Sequence, residues 1–124
     1  MASIVNFFRS LYTAFNGVVF VIRVERNARL HLIIALLVFI SSVALGISNA
    51  ELAAVFFAVI LVFTAEIVNT ALEKTLDLIE PKNSDQVRVI KDMAAGAVLI
   101  SALGAGAIGV AIFGPYLIRF IWHQ

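Results

Sequence analysis

Residues 52–80 read LAAVFFAVILVFTAEIVNTALEKTLDLIE, and this stretch decides the fold. Its first half has the apolar composition of a membrane-spanning helix, whereas its second half carries acidic and amide side chains. An ionisable group in a membrane segment costs about 2.5–3.5 kcal/mol, so such groups usually mark a functional site. At 100° per residue, these side chains fall within about 80° of arc. They form one acidic stripe on one helix face: Glu66, Asn69, Glu73, Asp77 and Glu80.

The composition of the chain indicates an integral membrane protein. Apolar residues make up 62% of the 124 residues, whereas a soluble domain contains about 45–50%. The length predicts a single domain over residues 1–124. Because the chain has no cysteine, disulfide bonds and cysteine-ligated metals are excluded.

Helical periodicity predicts an all-α membrane protein with four helices. Residues 4–28 form an amphipathic helix, whose uncharged part, residues 10–22, is shorter than the roughly 20 residues that a span requires. We therefore expect this helix to lie on the membrane surface; a partly buried bundle helix is the alternative. The remaining apolar stretches predict three membrane spans, at about 30–49, 51–79 and 86–118.

The basic residues predict the orientation in the membrane. All of the lysines and arginines except Arg119 fall in the N-terminal region or around the loop between the second and third spans. Since cytoplasmic segments are enriched in Lys and Arg, the N-terminus should be cytoplasmic. The acidic stripe then faces the compartment that supplies ATP and magnesium.

Carboxylates at two depths suggest two linked tasks. Glu66 and Glu73 are seven residues apart, about 10.5 Å along the helix axis, which is too far for one metal ion. Glu66 lies deeper, where a lipid hydroxyl could reach it. Glu73 lies nearer the headgroups, where Mg²⁺ could sit with Glu25 as a second carboxylate. Lys91 and the neighbouring Asp92 could contact the phosphate, ribose or adenine of a nucleotide.

A purely structural interpretation of the same charges stays open. The acids could pair with nearby cations, and we prefer this interpretation for Asp77, Glu80 and Asp85. His31 is interpreted as an interfacial or hydrogen-bonded histidine, not a metal ligand. The chain contains no Walker A motif, protein-kinase signature or zinc motif. The residues alone therefore indicate an intramembrane carboxylate site that faces the cytoplasm. A proton-coupled transporter with Glu66 as carrier and a non-catalytic assembly subunit remain alternatives.

Three segments resemble the signatures of a known family. Residues 65–74, AEIVNTALEK, fit the pattern E-x-x-N-[TS]-A-[IL]-E, and residues 91–99, KDMAAGAVL, fit a second signature. Residues 25–31, ERNARLH, resemble the E-R-N-x-R-x-H block of Gram-positive-type members. Together the segments are similar to the small bacterial diacylglycerol kinases, a family that includes undecaprenol kinases.

The resemblance implies a homotrimeric helix bundle in the bacterial cytoplasmic membrane. Each subunit would have a surface helix and three spans, and neighbouring subunits would share the active sites. The reaction would be Mg²⁺-dependent phosphoryl transfer from ATP to a lipid hydroxyl. The E-R-N-x-R-x-H block favours undecaprenol over diacylglycerol as the acceptor.

The resemblance also implies roles for individual residues. Glu66 would be the catalytic base, and Asn69 would help to organise the acceptor beside it. Glu25 and Glu73 would hold the metal and, through it, the nucleotide. Three further residues would contact the nucleotide, the last of them placed only by loop spacing: Lys91, Asp92 and Asn83.

Overall fold

Four helices make up the computed structural model, which describes residues 2–82 and 84–122. They are α1 (Ala2–Val24), α2 (Arg26–Leu45), α3 (Asn49–Ile79) and α4 (Asp85–Trp122). No strand occurs among the described residues. Each helix is long and apolar enough to cross a membrane. The prediction of an all-α membrane protein is therefore confirmed at this level.

The number of candidate spans differs from the predicted three. The sequence argument counted only uncharged residues 10–22 and judged the first helix too short. In the structure, α1 has 23 residues, and its segment Ser3–Val24 qualifies as a fourth candidate by length and composition. The difference arises because both flanking charges, Arg9 and Arg23, lie inside one continuous helix.

Glu25 separates α1 from α2 without a proline or glycine. Its backbone is extended, with φ −99° and ψ 122°, and its carboxylate makes no capping hydrogen bond to α2. The Arg29 guanidinium donates from Nη1 to the carbonyl oxygens of Ile22, at 3.3 Å, and Arg23, at 2.8 Å. Carbonyls at a helix end lack intrahelical partners, so this arginine caps α1 from the first turn of α2. The cap leaves the Glu25 carboxylate available for other contacts.

The turn between α2 and α3 is closed by two caps. Gly46 ends α2 in the left-handed region, with φ 60°, which a residue without a Cβ adopts at little cost. Ser48 and Glu51 form a reciprocal capping box at the start of α3. The hydroxyl of Tyr116 donates to Oε2 of Glu51 at 3.1 Å, which ties the far end of α4 to this turn. The two caps and this hydrogen bond together fix the end of the molecule that lies opposite the acidic stripe.

The central helix of the bundle is α3. It packs most extensively on α4 and also contacts α2 and α1. Its buried residues recur every three or four positions and so form one continuous face. Two of the five are polar: Val55, Ala58, Val62, Glu66 and Thr70.

Helix α4 is longer than expected. The sequence predicted a span that ends at about residue 118, but the helix continues to Trp122, with Pro115 inside it. A proline removes one backbone hydrogen bond, and membrane helices tolerate this where neighbouring groups compensate. Large apolar side chains remain exposed along all four helices, as expected for surfaces that face lipid or other subunits.

Candidate carboxylate site at the inner end of α3

Glu66 is a buried carboxylate within a membrane helix. Its side chain is 4% exposed, and its Oε1 lies 3.2 Å from Nε2 of His31 on α2. The distance is that of an ion pair, but Oε1 has no partner with hydrogen-bond geometry. The two side chains connect the first turns of α2 to the middle of α3. This contact sets Glu25 and the charged block of α2 at the same level as the acidic stripe.

Three buried polar atoms within two helical turns have no hydrogen-bond partner among residues 2–82 and 84–122. They are Oε1 of Glu66, Oδ1 of Asn69 and Oγ1 of Thr70. Nearly all buried polar groups in proteins are paired, so a cluster of unpaired oxygens requires an explanation. All three atoms are acceptors or can act as acceptors. Each of them could accept a hydrogen bond from a hydroxyl group or water, or contact a cation.

Asn69 and Glu73 are joined on the next part of the stripe. The amide nitrogen Nδ2 of Asn69 donates to Oε1 of Glu73 at 3.3 Å, and both residues are half-buried. Because the amide nitrogen is used in this bond, Oδ1 of Asn69 points elsewhere as an acceptor. Asn69 therefore holds the Glu73 carboxylate and adds an oxygen to the site.

Two further carboxylates act electrostatically on Glu66 at this end of the bundle. The negative charges of Glu25 and Glu73 both act on Glu66. Among the described residues, no three acidic or histidine side chains stand close enough together to form a ready-made metal cluster. Mg²⁺ commonly uses only one or two protein carboxylates and takes its other ligands from phosphates and water. The oxygens of Glu25, Glu73 and Asn69 therefore fit a magnesium–nucleotide complex better than a cation held by protein alone.

Two of the nucleotide-contact residues suggested by the sequence, Lys91 and Asp92, lie in the first turns of α4. Lys91 donates from Nζ to Oδ1 of Asp77 at 2.6 Å, which joins α4 to the last turns of α3. Asp92 follows it and is exposed. Asn83 lies outside the described residues. The structure thus brings Lys91 to the C-terminal end of the acidic stripe.

Ion pairs support a purely structural role for two of the acids to which that interpretation was applied. Asp77 pairs with Lys91, and Asp85 pairs with Arg88 at 3.3 Å within the exposed first turn of α4. Within residues 2–82 and 84–122, no acid pairs with the arginines of the α1–α2 junction, because Arg29 caps α1 instead. Glu66 is paired only with His31 in this part of the chain.

An apolar cavity of about 310 Å³ lies between α2, α3 and α4. Alanines and glycines create much of its space, and His31 lines the end nearest Glu66. A volume of this size falls at the lower end of the range for ligand pockets. The wall residues with small side chains are Ala35, Ala58, Ala102, Ala105, Gly106 and Gly109.

Two residues of the site were not predicted as functional from the sequence. His31 was interpreted as an interfacial or hydrogen-bonded histidine, and its contact with Glu66 depends on how α2 packs against α3. Thr70 was passed over, although it follows Glu66 by four residues and therefore shares its face. That spacing was the available signal for Thr70.

Comparison with known proteins gives consistent matches over most of the chain. Residues 12–113 match the family described as prokaryotic diacylglycerol kinase. The undecaprenol kinase of Bacillus subtilis is 37% identical over 112 residues, which cover 90% of this chain and 91% of that protein. The diacylglycerol kinase of Synechocystis sp. is 31% identical over 117 residues, which cover 94% of this chain and 67% of that protein. No solved structure shows a significant match.

Proposed function

This chain belongs to the prokaryotic diacylglycerol kinase family, and we propose that it transfers the γ-phosphoryl group of ATP to the hydroxyl of undecaprenol. Family membership identifies a lipid kinase and confirms the resemblance of its three motifs. It leaves the transporter and assembly-subunit alternatives without support. The observation that carries the proposal is the buried Glu66 carboxylate, which lies beside His31 at one end of an apolar cavity that His31 lines.

Glu66 acts as the general base in this reaction. As the acceptor oxygen forms its bond to the γ-phosphorus, the hydroxyl proton passes to the Glu66 carboxylate. The bond between the γ-phosphorus and the bridging oxygen breaks, and ADP leaves. Phosphoryl transfer depends mainly on positioning and charge neutralisation, so the protein needs no covalent intermediate. A base within about 2.6–3.2 Å of the hydroxyl, directly or through one water, suffices.

Glu25 and Glu73 would hold the magnesium that accompanies ATP. Two observations support this assignment: Glu25 does not cap its helix, and Asn69 orients Glu73. When bound, Mg²⁺ would neutralise charge that develops on the transferred phosphoryl group. The carboxylates would orient the nucleotide at the headgroup level, whereas Glu66 lies deeper in the membrane.

Lys91, Asp92 and Asn83 contribute to nucleotide binding. The Lys91 ammonium has three N–H donors, so it can keep its bond to Asp77 and still reach a phosphate oxygen. Asp92 is exposed beside it and could accept from ribose or adenine. Asn83 is assigned only from loop spacing.

The acceptor lipid enters from the hydrocarbon side of the site. Its chain lies in the apolar cavity between α2, α3 and α4, and its hydroxyl meets Glu66 at the His31 end. Asn69 helps to organise the acceptor site, because it lies three residues beyond Glu66 on α3 and holds the Glu73 carboxylate. Undecaprenol is preferred over diacylglycerol because the undecaprenol kinase relative matches across more of its own length and at higher identity.

The membrane arrangement has α1 on the cytoplasmic surface and three spans. An arginine inside hydrocarbon is costly, and Arg9 lies within α1, which favours the interface for that helix. The basic residues around the α1–α2 and α3–α4 junctions favour a cytoplasmic N-terminus. A homotrimer would shield the exposed C-terminal part of the acidic stripe, Asp77 and Glu80, from lipid.

A lipid panel tests the proposed reaction. The purified chain in detergent micelles is given radiolabelled ATP, Mg²⁺ and either undecaprenol or diacylglycerol, and labelled lipid is measured. We expect phosphorylation of both classes, with a higher kcat/KM for undecaprenol. Higher kcat/KM for diacylglycerol would overturn only the acceptor assignment. No labelled product with either lipid, from a folded protein, would contradict the kinase proposal.

A further inference from the structure

The contact between His31 and Glu66 has a consequence for the proposed reaction. His31 Nε2 lies 3.2 Å from Oε1 of Glu66, and among the described residues no other ion-pair partner approaches that carboxylate. We propose that His31 is a positioning residue, which donates a hydrogen bond to Oε1 and so turns Oε2 toward the acceptor hydroxyl. This inference rests on the proposed role of Glu66 as base.

The carboxylate needs such a partner because it is not otherwise fixed. The terminal torsion of a glutamate side chain is broad, so burial alone leaves the two oxygens free to rotate. Oε1 has no hydrogen bond at its present angle, although the imidazole is at bonding distance. A small rotation of the imidazole would make the bond. An imidazole with a proton on Nε2 can donate from that nitrogen in its neutral form as well as in its charged form.

Neighbouring polar groups do not replace His31 in this task. The amide of Asn69 already donates to Glu73. The carboxylate of Glu73 therefore has a dedicated donor on its own helix, whereas Glu66 depends on a donor from α2. The arrangement follows the general scheme in which a third group orients a catalytic base.

His31 also links Glu66 to the apolar cavity. His31 lines the cavity and is 21% exposed, whereas Glu66 is 4% exposed and does not line it. A lipid hydroxyl at this end of the cavity meets the imidazole edge and the carboxylate together. Fixing Oε1 on the imidazole then leaves Oε2 as the oxygen that accepts the proton.

Three substitutions of His31 test the donor role in the full chain. His31→Gln keeps an N–H donor of comparable reach, His31→Asn has a donor that is too short, and His31→Leu has none. Ser41→Ala, a polar-to-apolar change elsewhere on α2, is the matched control, since Ser41 bonds only to the carbonyl of Leu37. Lipid phosphorylation gives kcat and the KM for ATP, and thermal unfolding reports folding.

We expect the Asn and Leu variants to lose kcat by about 10²-fold, as a displaced reacting group does, with an unchanged KM for ATP. The Gln variant and the Ser41→Ala control should keep kcat within about fivefold. The double variant His31→Leu/Glu66→Gln should be no slower than Glu66→Gln alone, because both changes remove one function. If His31→Leu unfolds, the comparison of Asn with Gln decides.

Wild-type kcat in the Asn variant, equal loss in the Asn and Gln variants, or additive losses in the double variant would each overturn the positioning role. These outcomes differ from failure of the proposed function, in which the unmodified chain itself would not phosphorylate lipid.

Discussion

Glu66 and Thr70 place two polar side chains on the buried face of α3, where apolar residues would pack without unpaired oxygens. An unsatisfied buried polar group costs about 1–3 kcal/mol. A protein keeps such groups where function requires them, and their removal often stabilises the fold while activity falls. The proposed role of Glu66 would explain why its carboxylate is kept there, buried and near the like charges of Glu25 and Glu73.

Replacing Glu66 by glutamine separates stability from catalysis. Glu66→Gln keeps the size of the side chain but removes the proton acceptor, so we expect kcat to fall by at least about 10²-fold. The Tm should stay the same or rise, because a buried charge is removed. Glu80→Gln, at the exposed end of the acidic stripe, is the control and should retain activity. Near-normal turnover in Glu66→Gln would remove Glu66 from the base role.

At the scale of elements, capping residues and charge decide where the helices begin and end. The first span was expected over 30–49, but α2 begins at Arg26 because the chain breaks only at Glu25. It ends at Leu45 because Gly46 adopts the left-handed conformation. The span expected over 51–79 agrees closely with α3, whose serine cap and apolar run are local signals. Local signals therefore predicted this helix well.

Other features depended on tertiary packing and could not be predicted from local signals. The type and face of α3 followed from its periodicity, including the burial of Glu66. The partner of Glu66 did not, because His31 is 35 positions away and reaches it only when α2 packs on α3. The capping of α1 by Arg29 could not be predicted from local signals either, because Arg29 belongs to the next helix.

The junction between α1 and α2 depends on one guanidinium. Arg29→Met removes both hydrogen bonds to the carbonyls of Ile22 and Arg23, so the last turn of α1 should fray. A net loss of about 1 kcal/mol corresponds to roughly fivefold faster amide exchange over residues 18–24. Arg26→Met is the matched control, because Arg26 makes no side-chain hydrogen bond or ion pair within the described chain. Unchanged protection in Arg29→Met would show that α1 is held by other contacts.

At the scale of the whole molecule, one chain leaves much of its surface to be covered. Large apolar side chains are exposed on all four helices. At the C-terminal end of the acidic stripe, Asp77 and Glu80 are exposed as well. Lipid can cover the apolar surface but not the acids. The proposed trimer would cover both, and it would allow α4 of one subunit to serve the carboxylates of another.

Mixed subunits test whether the sites are shared. Glu66→Gln and Asp92→Asn each disable a different part of the proposed site, on α3 and α4. If neighbouring subunits complete each other's sites, co-expression of the two variants should give activity well above the sum of the separate variants. Activity equal to that sum would show that each subunit works alone. Each variant co-expressed with itself is the control for expression level.

The caps at the start of α3 give the molecule a fixed internal length. Ser48 and Glu51 anchor one end of a continuous helix, and Glu66 follows about 26 Å along its axis at 1.5 Å per residue. The hydrocarbon layer is about 30 Å thick, so the carboxylate stops just short of the opposite boundary. A thinner bilayer would move it into water, and a thicker one would sink it deeper among the acyl chains. Bilayer thickness, which varies with lipid composition and temperature, would then change how much water surrounds the Glu66 carboxylate.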